Sequence, residues 1–196
     1  MPQAESLSGT ENYSPDMERL LSRAASINRY FEEDFDISFS SIFLAFLVSD
    51  DLVSQWFQAY VRQEGINIQK ILEERGLDQR IMEDIVHAMP SEPRTYRMTN
   101  SAKRFLQAAD QLRRSPAEPG DTLDVRHLMA VFIYDPWVHE KDLIRWGFSR
   151  IDLSEKFLEL MRSLRPKELG FWRGQHRSAF GVESHLAQGQ GSGEVL

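Results

Sequence analysis

The stretch Leu123 to Phe148, LDVRHLMAVFIYDPWVHEKDLIRWGF, constrains this chain more than any other, because a weaker copy of it lies about eighty residues earlier. In both copies a helix started by an acid or a serine is apolar almost all round. A second helix then closes on a glycine: Leu143-x-x-x-Gly147 here, Leu72-x-x-x-Gly76 in the first copy. A helix without a polar face has to be buried, and a unit of this size cannot bury its own central helix. Two such units therefore pack against one another, which predicts an all-α fold built as a tandem repeat.

With 196 residues, 41% of them apolar and 11% aromatic, the chain can bury a core without covalent staples. Cysteine is absent, which excludes disulfides, thiolate zinc sites and cysteine nucleophiles together and fits a reducing compartment, the cytoplasm by default. The net charge of −7 argues against a general phosphate-backbone binder, so no nucleic-acid partner is expected. The longest apolar run, Ile42 to Val48, falls far short of the roughly 20 residues that span a bilayer, and no membrane partner is expected either. The first thirteen residues lack the cationic start and apolar centre of a signal peptide and read as a flexible leader.

Ser14-Pro15-Asp16 starts a helix, with serine to cap, proline where no N–H is missed, and an acid near the positive end. Met17, Leu20, Leu21, Ala24, Ile27 and Phe31 then follow helical spacing. Ser38 to Val48 has the length of a helix or a buried strand; its counterpart Asp124 to Tyr134, with a good cap and no β-branched run, decides for helix. Ser49-Asp50-Asp51 caps a further helix with a stripe of Leu52, Val53, Trp56, Phe57, Tyr60 and Val61. Gly65 ends it, residues 67–75 form a short helix stopped by Gly76, and Asp78 caps one carrying Ile81, Met82, Ile85, Val86 and Met89. Residues 91–98 link the halves. In the second half, Thr99 caps a helix whose apolar residues match those after Ser14, and residues 115–121 break the chain. Asp135-Pro136 opens a short helix that Gly147 terminates, and Ser149-x-x-Asp152 resembles a capping box for the last helix, which Pro166 ends.

Candidate chemistry is sparse. The four carboxylates of Glu32 to Asp36 lack the glycine-turned loop that a calcium or magnesium site needs, so no metal is expected there. No phosphate loop of the GxxxxGK[ST] type, no GxSxG elbow and no HExxH motif occurs, which leaves no cofactor and no catalytic residue to name. His127, at the third position after its cap, reads as a structural hydrogen-bonder. The tail from Arg165 mixes basic residues with Phe171, Trp172 and Phe180, which suits a docking peptide or, more simply, aromatics folded back on the bundle. After Gly181 the composition is that of a linker, so the chain reads as the front of something longer.

Three segments together, Ser101 to Asp110, Val125 to Ile133 and Leu143 to Leu153, resemble the double-repeat N-terminal domain of Clp ATPases, a likeness that covers residues 14–165 and is diffuse and mostly apolar. It implies two four-helix repeats, 14–89 and 99–164, related by a pseudo-twofold axis and packed as one bundle, with 1–13 as leader and 166–196 as tail or linker. It also implies a non-catalytic chaperone module that binds an adaptor, a substrate or an attached effector. A free-standing accessory protein docking on a protease or unfoldase ring is the alternative. Two departures stand out: His127 is matched by Ser41 in the first repeat, and that repeat holds about fifteen extra residues before its glycine. The extra segment, 50–65, is expected to lay Trp56 and Phe57 inward and leave Tyr60 and Arg62 to solvent. Trp56, Tyr60 and Arg62 are therefore the candidate partner-binding residues, with His127, Gly76 and Gly147 as structural markers.

Overall fold

A computed structural model describes residues 13–31, 34–88, 95–114, 122–138 and 147–181. The chain is all-α. Among the described residues its helices are α1 (Pro15–Arg29), α2 (Phe39–Phe46), α3 (Leu52–Gln63), α4 (Ile68–Glu74), α5 (Gln79–His87), α6 (Asn100–Arg113), α7 (Val125–Tyr134), α8 (Arg150–Leu164) and α9 (Leu169–Phe180), with a 3-10 turn at Pro166–Glu168. Among the described residues there is no β-strand, only two isolated bridges, Tyr13 to Leu123 and Ile37 to Met98.

Short polar side chains start most of these helices by accepting the backbone N–H three residues on. Ser14, Ser38, Asp51, Asn67, Asp78 and Thr99 each do so at 2.9–3.2 Å. Each such cap contributes about 1 kcal/mol. Helices α8 and α9 have no side-chain cap, and the expected capping box of Ser149 with Asp152 does not form. Glycines close the turns between helices. Gly65, Gly76 and Gly147 sit at φ of +78°, +79° and +83°, in each case two residues before the next N-cap. At Gly76 the N–H of Leu77 reaches back to the Leu72 carbonyl at 2.9 Å, a helix-ending loop that needs a residue tolerant of the left-handed region.

The two central helices, α2 and α7, form the middle of the core. All ten residues of α7 are buried, as is α2 from Ser41 to Phe46, and Phe43 stacks on Phe132 with ring centroids 5.4 Å apart. Helix α1 lies along α2 and touches α7, while α6 lies along α7 and touches α2. The two bridges have the same reciprocity. The Ser14 N–H, before α1, donates to the Leu123 carbonyl before α7 at 2.9 Å; the Thr99 N–H, before α6, donates to the Ile37 carbonyl before α2 at 3.0 Å.

Helix α3 is an integral part of this core. Phe57 is fully buried and packs edge-on against Phe43, Phe46 and Phe132. The element at the periphery is α5, whose single buried residue is Ile85 and whose main neighbour is α1. At the other end, packing runs past residue 165. Trp172 of α9 is 1% exposed and meets Phe157 of α8 edge-on at 5.5 Å.

Candidate functional site

The three residues singled out on α3 do not share one surface. Tyr60 is a correction to the expectation: it is 3% exposed, and its hydroxyl donates to the Asp152 carboxylate on α8 at 2.7 Å. Burial, and then the carboxylate it bonds, push its pKa upward. Trp56 is half-buried, its ring edge-on to Phe157 at 5.8 Å. Only Arg62 is exposed.

Arg62 stands at the edge of an open groove of about 830 Å³, bounded by the end of α2 and by α4 and α5. Leu47, Ile68, Leu72 and Leu77 line it, together with Met82 and Val86 from α5. Ile85 is the one buried residue of α5, and Val86, which lines the groove, remains 41% exposed. The groove's volume falls within the range of built ligand sites, and methionine among its walls adapts to side chains of different shape. The stripe of α5 was legible in the sequence as a helix face. What was not legible is that α4 and α5 stand apart along it.

Two buried polar clusters lie elsewhere. In the first, Arg126 of α7 bonds both oxygens of Glu168, at 2.9 and 3.1 Å, and the Asp124 carboxylate at 2.8 Å. Ser14 donates to the other Asp124 oxygen at 2.6 Å, and the Trp172 indole to Glu168 at 3.0 Å. Burial alone would raise the pKa of both carboxylates; the hydrogen bonds from Ser14 and Arg126 on Asp124, and from Arg126 and Trp172 on Glu168, outweigh it and hold both below their ordinary values. Beside this cluster, the Asp124 N–H donates to Nδ1 of His127 at 3.0 Å, which places the proton of the neutral ring on Nε2. Burial, and then the Arg126 charge, push the His127 pKa down to about 4. In the first half Ser41 Oγ accepts the Ser38 N–H at 2.9 Å, the same bond from a smaller side chain.

The second cluster joins Ser154 to Tyr134 at 2.8 Å and to His176 Nδ1 at 2.7 Å, with Glu155 3.4 Å beyond the far ring nitrogen. A serine, a histidine and a carboxylate in line invite comparison with a hydrolytic triad. Ser154 and His176 are both 0% exposed, however, so this conformation offers a substrate no route to the hydroxyl, and the cluster ties α9 to α7 and α8. Of the acidic run, Glu32 and Glu33 lie outside the described residues, and Asp36 accepts the Arg97 N–H at 2.8 Å. Among the described residues no three metal-ligating side chains converge, and no helix is long and apolar enough to cross a membrane. Set against protein-family models, curated proteins and solved structures, the chain finds no match in any of the three.

Proposed function

We propose that this chain is a non-catalytic recognition domain, similar to the double-repeat N-terminal domain of Clp unfoldases, which takes apolar protein segments into the groove between α4 and α5. The observation that carries the reading is the reciprocal clasp. The residue before the first helix of each half pairs with the residue before the central helix of the other, Tyr13 with Leu123 and Met98 with Ile37. That reciprocity supports a pseudo-twofold relation between residues 14–89 and 99–164, because an unrelated packing of helices has no reason to produce it. The groove supports the recognition role, because an open apolar channel rimmed by polar groups is the form that helix-in-groove binding uses. The test is a titration of isotope-labelled protein with a permanently unfolded, reduced and alkylated polypeptide. Saturable amide shifts clustered at Leu72, Met82 and Val86 are expected. Saturation with shifts confined to α8 and α9 would put the site elsewhere, and no shifts at all would remove the recognition role.

A further inference from the structure

The groove is apolar along its floor, and nearly every polar side chain on its rim is already engaged within its own helix. Asn67 caps α4 at 3.1 Å, Gln69 donates to Glu73 at 3.1 Å, and Gln79 donates to Glu83 at 3.1 Å. The His87 ring bonds the Glu83 carbonyl at 2.7 Å. Arg62 differs: it is exposed and lines the groove, and among the described residues its side chain makes no hydrogen bond or ion pair. A guanidinium beside apolar surface presents five donors to whatever lies along it and bonds a carboxylate through two of them at once. The other charge on the rim, Glu83, belongs to α5 and repels an acid from that side.

We propose that Arg62 gives the groove its selectivity, so that it takes an apolar segment carrying an aspartate or glutamate at one end, with the acid directed to Arg62 and away from Glu83. The proposal rests on the groove being the recognition site. The chain's own charge of −7 works against acidic partners at long range, so discrimination depends on this contact and weakens as salt rises.

The experiment measures anisotropy of short fluorescent peptides that share one leucine and valine core and end in a glutamate, glutamine or lysine pair. The parent is compared with Arg62→Gln, Arg62→Glu and Met82→Asp, after a check that thermal unfolding is unchanged in the two arginine variants. The parent should prefer the glutamate peptide over the lysine peptide by on the order of fivefold, as a mostly exposed ion pair allows. Arg62→Gln should level the series, Arg62→Glu should invert it, and Met82→Asp should weaken all three peptides. Equal affinity of the parent for the glutamate and lysine peptides, or an order that Arg62→Glu leaves unaltered, overturns the selectivity and leaves the groove standing. Failure of all three peptides to bind overturns both.

Discussion

Arg126 and Glu168 stand 42 residues apart in sequence and meet through two parallel hydrogen bonds at the N-terminal end of α7. The pair is almost sealed, with side chains 8% and 14% exposed, and Asp124 and Trp172 take part in it. It joins the start of the second central helix to the turn that leads into α9. Removing one partner of such a pair leaves the other buried and uncompensated, which typically costs about 3–5 kcal/mol, whereas replacing both by apolar side chains is often close to neutral. Arg126→Ala should therefore lower stability by about 3 kcal/mol in urea unfolding. Arg126→Met combined with Glu168→Leu should recover part of that loss. Equal losses in the single and double variants would mean that the hydrogen-bonded pair itself is needed and that an uncompensated Glu168 is not what the single variant costs.

His127 and Ser41 perform one task in the two halves, each accepting the N–H of its own N-cap residue. Only the histidine titrates. Its folded pKa of about 4 lies below the ordinary 6.5, so its contribution is complete above pH 6.5 and is lost as pH falls towards 4. The loss amounts to roughly 3 kcal/mol. The lowered carboxylates of Asp124 and Glu168 act in a lower window, below the ordinary carboxylate range near 4. His127→Ser should keep the capping bond and cost stability at neutral pH, since the ring also lies against Trp172. It should flatten the decline between pH 6.5 and 4, read from urea midpoints across that range. A decline as steep as the parent's would assign the effect to another group.

What the sequence disclosed, and what it did not, follows from range. Caps such as Ser14, Asp78 and Thr99, and glycines such as Gly76, act over three or four residues, so their chemistry is visible locally. The apolar run of α7 was legible because a helix without a wet face has a single destiny. Tyr60 was misread because the stripe of α3 is broad, and whether its margin is wet depends on α8, whose Asp152 lies 92 residues on. That Trp172 folds back on the bundle was the simpler reading of its stretch, but its bond to Glu168, and the pairing of Glu168 itself, become apparent only when Arg126 is seen facing them. The groove belongs to no residue at all, being space left between α4 and α5.

Tyr60 separates stability from recognition. Its hydroxyl is satisfied by Asp152 and its ring lies edge-on to Phe148 at 5.7 Å. Tyr60→Phe keeps the ring and removes the bond, so it should cost about 1 kcal/mol in chemical denaturation. Peptide affinity should be unchanged, because Tyr60 is not among the residues lining the groove. A loss of affinity without a loss of stability would return Tyr60 to the binding surface.

Helix α5 should be the least protected of the described helices. Opening a helix costs the burial it gives up, and α5 gives up little: Ile85 is its one buried residue, Ile81 and Met82 are half-buried, and Val86 is exposed. By contrast α7 is buried along its whole length and opens only when the core does. Hydrogen exchange should show the α5 amides exchanging through a local opening well below the global unfolding free energy, with α2 and α7 near the global value. Ile85→Ala, a large-to-small change that typically costs about 2–5 kcal/mol in a core, should be felt at the low end of that range. It should accelerate exchange in α5 while leaving the spacing between α5 and α7 no smaller. An apolar peptide seated in the groove should slow exchange in α5 first, since Met82 and Val86 form one wall of it. If α5 instead exchanged only with the global transition, it would be part of the central core and not a separately opening wall of the groove.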